Sequence, residues 1–275
     1  MEAAVRAVLK QEPGFPTRDI DIVTCASALG NLLRFVCGIE KDFRIILASV
    51  GTTVFLLRRE NSPTTLIPDV RGYGHTFPEE YTTWESEVKN SVSHQRIIQY
   101  RFGGFNLLVR FEVDGYEPRE DVTEALEPRV PDENKLISSL STASIFEIKT
   151  RSVGKRDRHE IDIQDFIPRL WVSQISRLVL AYHDQGLFDE NISIRDMGPD
   201  ITEWEAKNAA ELSGLASLLN ELVQISRDSE TSLEICRSGT GPLEIRRLAI
   251  DGVEAPPSRL REAWAGMRQP EGEDL

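Results

Sequence analysis

The stretch SIFEIKTRS, residues 144–152, places Glu147 and Lys149 two positions apart in an apolar, strand-like run. Side chains alternate faces along a strand, so this carboxylate and this ammonium point the same way. Burying an unpaired charge is costly, so a partner, a metal or water has to meet both groups. A second run, RFEVDGY (110–116), carries Glu112 and Asp114, which the same period assigns to one face. If the two strands are neighbours, three carboxylates and one ammonium converge on a small patch. Carboxylates that close repel unless a divalent cation neutralises them. Magnesium takes carboxylate and water oxygens and suits phosphate substrates. Such a site can activate a water on one side and stabilise the leaving oxygen on the other. Lys149 would orient the water or offset transition-state charge. A lone E-x-K is a salt-bridge pair on many exposed strands. Here the apolar flanks in FNLLVRFEVD (105–114) and SIFEIK set it apart. Gln174, on the helical segment that follows, can bind the reacting phosphate or a metal-bound water; its plainer reading is an exposed glutamine.

Working outward, DIVTCASALGNLLRFV (21–36) predicts a strand entering a helix with Leu29, Leu32, Leu33 and Val36 on its apolar stripe. FRIILASVGTTVFLLRRE (43–60) predicts a hairpin around SVGTT. HQRIIQYRFGG (94–104) and FNLLVRFEVDGY predict a second hairpin across Gly103 and Gly104. Residues 62–84, rich in Pro, Gly and Thr, read as largely irregular. Residues 162–188 read as a helix around Ile167–Ile175, a strand at RLVLAYHD and a turn at Gln185 and Gly186. ITEWEAKNAAELSGLASLLNELVQISRD (201–228) predicts one long helix, and TSLEICRS with LEIRRLAI a closing strand pair around GTGP. A short helix opens the chain before Pro13. Residues 117–143 are acidic and carry Pro118, Pro128 and Pro131, the pattern of an insertion between paired strands. The order predicts an α/β (α+β) fold, a single domain over 1–275 with a mixed central β-sheet flanked by helices. Residues 265–275 read as a frayed acidic tail.

The net charge of −13 argues against nonspecific coating of nucleic acid, which needs clustered Lys and Arg. It leaves room for a local basic track, and KTRSVGKRDRH (149–159) is the candidate, with Arg151 and Lys155 as phosphate contacts or as a solvated loop. Cys25, Cys37 and Cys236 are too few and scattered for a disulfide framework or zinc site. The four histidines lack metal-ligand spacing. No apolar run has the length of a membrane span, and no signal-peptide core is visible, so the expected location is intracellular. GTGP lacks the Lys-Ser/Thr of a phosphate loop and reads as a hairpin turn.

ExD, then EΦK, then a helix of the form W-x-x-Q (Trp171 to Gln174) resembles the DXO-type decapping nuclease family, a branch of the PD-(D/E)xK nucleases. Element order from about residue 20 to 250 follows the family as well. The resemblance implies an RNA 5′-end hydrolase (decapping, pyrophosphohydrolase or 5′→3′ exoribonuclease-like) that uses Mg2+ or Mn2+. It implies Glu112, Asp114, Glu147, Lys149 and Gln174 as catalytic residues. The metal would sit on the three carboxylates and the backbone carbonyl of Ile148, with Arg151, Lys155 and Gln174 toward RNA. It further implies a 5′→3′ exoribonuclease as partner and a location in the nucleus or cytoplasm. Two positions depart from the pattern. The family's W-R-G reads Cys25, Ala26, Ser27 here, so its phosphate-binding arginine is absent. Its motif glutamate falls on Pro78, with Glu79 next in line. These departures keep two alternatives open, a weak or inactive relative acting as a binding partner and a DNA-directed PD-(D/E)xK nuclease.

Overall fold

The computed structural model describes residues 1–59, 76–91, 93–117, 144–152, 163–188, 192–248 and 256–266. Most of the predicted acidic insertion, Lys155, His75 and nearly all of the predicted tail lie outside them. Among the described residues, twelve strands form two mixed sheets flanked by helices. In the seven-stranded sheet the order is β12-β11-β2-β3-β1-β5-β4. Its members are β1 (Ile22–Cys25), β2 (Phe43–Val50), β3 (Thr53–Arg58), β4 (His94–Phe102), β5 (Phe105–Val113), β11 (Leu233–Arg237) and β12 (Glu244–Arg247). The second sheet runs β10-β8-β7-β6, with β9 paired to β8. It comprises β6 (Gly115–Tyr116), β7 (Ile145–Ser152), β8 (Arg177–Asp184), β9 (Leu187–Phe188) and β10 (Ser193–Asp196).

β1 lies parallel to both β3 and β5, and all four of its residues are buried. A strand covered on both faces needs a continuous apolar run, which Ile22 and Val23 begin. Its one hydroxyl, Thr24, is wholly buried and donates to the Leu56 carbonyl at 3.2 Å. α1 (Glu2–Gln11) and α7 (Ser258–Trp264) cover one face of this sheet, closing over Val23, Phe55 and Leu108. There the Trp264 indole donates to Thr53 at 2.9 Å. The other face carries α2 (Ala26–Val36), α4 (Ile167–Ser173), α5 (Gly198–Lys207) and α6 (Ala209–Arg227) over the largest core cluster. Leu29, Leu32 and Leu33 of α2 are fully buried there, each worth about 1.5–3 kcal/mol of transfer free energy. Trp171 of α4 lies edge-on to Phe102, 5.2 Å between centroids, and the buried Tyr100 hydroxyl donates to the Val172 carbonyl at 3.0 Å. α3 (Thr76–Tyr81) packs Phe77 against Phe146 and Ile148 of the second sheet.

Two expectations need correction. The long helix is two, α5 and α6, because the first ends at Lys207 and Asn208 leaves helical geometry, its amide still bonded to the Trp204 carbonyl. Residues 105–116 are not one strand. The chain bends at Asp114, leaves the first sheet and enters the second, so β5 and β7 belong to different sheets.

The β4–β5 hairpin turns through Gly103, whose φ of +59° is left-handed and whose added Cβ would sit 2.7 Å from the Ala216 methyl of α6. Gly103→Ala therefore costs about 1–3 kcal/mol from strain and overpacking together. A lowered midpoint in denaturant unfolding checks this, and an unchanged midpoint contradicts it.

Candidate active site

β7 lies between β6, antiparallel to it, and β8, parallel to it. Phe146 and Ile148 point into the cluster with Phe77, while Ile145 points into the large core. Glu147 therefore shares the Ile145 side, beneath α4, and Lys149 follows it. Only 1% of Glu147 is exposed. The Lys149 ammonium sits on its Oε1, and Arg169 of α4 places its Nε 2.8 Å from the same oxygen. Phe166, the residue before α4, floors this group: the Lys149 ammonium is 5.8 Å and the Arg151 guanidinium 5.1 Å from its ring centroid.

Asp114 arrives from the sheet-changing bend. Its Oδ2 accepts the Ile148 amide at 2.7 Å, which caps the β7 edge where the short β6 pairing with Phe146 has ended. A strand residue sends its N–H and C=O to the same edge, so the Ile148 carbonyl faces the Asp114 side too. Burial, and next the Asp114 carboxylate, hold the Glu147 carboxyl above the ordinary carboxylate range; Lys149 and Arg169 pull the other way without overcoming them.

Of the remaining predicted residues, Glu112 and Glu79 are placed elsewhere, and Gln174 and Arg151 bond to nearby backbone. Glu112 is exposed on β5, opposite Gln95, on the sheet face that carries Leu108 rather than the core side of Ile145. The period that linked it to Asp114 breaks at the bend. Glu79 is exposed on α3, whose Phe77 covers the Phe146 and Ile148 side of β7, across the strand from Glu147. Pro78 ends up accepting from Thr82 through its carbonyl. Gln174 caps α4 in a left-handed conformation, φ 54°, and its side-chain amide folds back to the Trp171 carbonyl at 2.6 Å. Arg151 donates to the Thr150 carbonyl at 3.1 Å. Ala26 opens α2, with the Cys25 sulfur 3.2 Å from the Ser27 hydroxyl.

Sequence reading missed Arg169. Within IPRLW it looks like the solvent side of a short helix. The signal that could have found it is the buried glutamate itself, whose charge demands more than one cation when a second carboxylate stands beside it.

Among the described residues, no group of three His, Cys, Asp or Glu side chains is placed to hold a metal ion. The available hard donors are the Asp114 and Glu147 carboxylates and the Ile148 carbonyl. That set fits Mg2+ or Mn2+ in kind, because magnesium commonly takes one or two carboxylates and completes its shell with water and substrate phosphate. Without an ion, Lys149 and Arg169 supply the positive charge.

A family model described as a domain of unknown function, DUF8563, matches residues 2–236. No curated protein matches by sequence. Rai1 from Scheffersomyces stipitis, in complex with (3′-NADP)+ and calcium ion, is similar at a TM-score of 0.66 and 13% identity, covering 96% of this chain and 80% of that one. Candida albicans Rai1 in complex with pU5-Mn2+ gives 0.61 at 12% identity, covering 90% and 74%. K. lactis Dxo1 in complex with manganese gives 0.58 at 10%, covering 92% and 72%. At such identities the shared property is the fold.

In the metal-free protein the Glu147 carboxyl holds its proton more tightly folded than unfolded. Stability then falls as pH rises from the ordinary 4.5 through the raised folded value, the sign expected when the native state binds more protons. Glu147→Gln removes this slope. Denaturant midpoints of both proteins between about pH 4 and pH 8 check it, and parallel curves contradict it.

Proposed function

This chain belongs to the DUF8563 family, and we propose that it hydrolyses phosphate linkages at the 5′ end of RNA, using Mg2+ or Mn2+. The observation that carries the reading is the Asp114 carboxylate bonded to the Ile148 amide, one residue from the buried Glu147, with Lys149 on the Glu147 oxygen. Its support from outside is a Rai1- and Dxo1-like fold. Asp114, Glu147 and the Ile148 carbonyl would hold the ion. When bound, it supplies Lewis acidity toward a phosphoryl oxygen and lowers the pKa of bound water.

The chain's own groups do the rest. The Ile148 amide fixes one Asp114 oxygen, leaving the other for the ion. Lys149 holds Glu147 in place and presents an ammonium where negative charge grows on the phosphoryl group. In this reading the chain is one nuclease-like domain that works inside the cell, in nucleus or cytoplasm, alongside a 5′→3′ exoribonuclease that consumes the exposed RNA.

One observation favours a second reading, a 5′-end binding protein without hydrolysis: Glu147 is already paired with both Lys149 and Arg169. Capped, triphosphorylated and monophosphorylated RNAs, with matching single-stranded DNA, separate the readings in Mg2+ or Mn2+. RNA cleavage that falls by on the order of 10²-fold or more in Asp114→Ala and Glu147→Ala, with the fold intact by circular dichroism, supports the first. RNA binding with no cleavage of any substrate supports the second. Faster cleavage of DNA than RNA moves the assignment to DNA.

A further inference from the structure

We infer that Arg169 is a phosphate-binding residue of this site, aimed at the substrate by its grip on Glu147. The inference rests on the proposed reading of the site and goes one step further, to the group that recognises the terminal phosphate. Arg169 spans two environments. Its Nε is 2.8 Å from an oxygen of a side chain only 2% exposed, while its own side chain is 50% exposed. A guanidinium engaged through Nε keeps its outer pair of nitrogens, and that edge matches two oxygens of a phosphate. The buried carboxylate takes away much of the freedom a surface arginine loses on binding.

The other cations nearby are less suited. Lys149, its side chain 19% exposed and its ammonium on Glu147 above the Phe166 ring, is taken up by the reacting phosphoryl group in the proposed reading. Arg151 lies on the same ring and donates to the Thr150 carbonyl.

Charge balance gives the inference a second consequence. Asp114 and Glu147 bring two carboxyl groups, and Lys149 and Arg169 two cations, so these four groups by themselves offer little net attraction to a divalent ion. A phosphate on the outer nitrogens of Arg169, with its Nε still on Glu147, brings negative charge beside the two carboxyl groups. Ion and phosphate then strengthen each other's binding, reciprocally, as linkage requires.

Two binding measurements on the full chain test this, neither of them reading activity. Fluorescence anisotropy compares 5′-phosphorylated with 5′-hydroxyl oligouridine, and electron paramagnetic resonance follows Mn2+ with and without the phosphorylated strand. The wild type is expected to prefer the phosphorylated strand and to bind Mn2+ about 5–150-fold more tightly in its presence. Arg169→Ala is expected to lose the preference, bind the hydroxyl strand as before, and bind Mn2+ alone at least as well as wild type. Arg169→Lys keeps the ion pair to Glu147, so it guards against misfolding of the alanine variant. It is expected to keep only part of the preference, because an ammonium lacks the two-pronged edge. Wild-type preference in both variants overturns the role of Arg169 and leaves the proposed function standing. A wild type that binds neither strand removes the reading of the site, and this inference with it.

Discussion

The buried Glu147 carboxylate is the constraint around which the second sheet and α4 are arranged. A charge with 1% exposure cannot be left alone, and Lys149 and Arg169 both close on one of its oxygens. Losing one partner of a buried ion pair costs on the order of 3–5 kcal/mol, whereas a well-packed apolar replacement is often no worse than the pair. Structural need alone therefore does not explain a glutamate at this position. On that face the buried Ile145 and Phe166 would pack another hydrophobic side chain without difficulty. An ionisable group kept there at such a cost is the mark of a site where charge has work to do.

The second constraint is the bend at Asp114. The β4–β5 hairpin belongs to the large sheet, yet two residues beyond it the chain pairs with β7. The carboxylate bonded to the Ile148 amide seals the junction between the sheets. It also delivers a second negative charge to the neighbourhood of Glu147, raising that residue's proton affinity further. One side chain thus joins the sheets and builds the electrostatic field of the site. The Rai1-like architecture gives these residues a setting at the margin of two sheets, and their chemistry, more than the fold, argues for phosphate substrates.

Local sequence was a good guide wherever side-chain period and turn chemistry agreed. The SVGTT and Gly103–Gly104 hairpins, the strand-to-helix passage at Cys25 and Ala26, and the closing β11–β12 pair all follow the predicted order. Glu147 and Lys149 fell on one face for the same reason. The predicted long helix failed at Asn208, where the apolar stripe continued but the backbone did not.

By itself, then, the sequence determined the α/β class, the order of elements and the same-face placement of Glu147 and Lys149, because each depends on neighbours a few positions apart. Tertiary structure alone decided the rest. Whether Glu112 or Asp114 meets Glu147 depends on a bend that changes sheets, and a one-residue change of direction reverses which face a side chain takes. Glu79 falls across β7 from Glu147 because Phe77 must bury against Ile148. Arg169 reaches Glu147 from 22 residues along the chain only because α4 packs over that strand. Such a contact is set by how whole elements stack, and no local period in the chain encodes it.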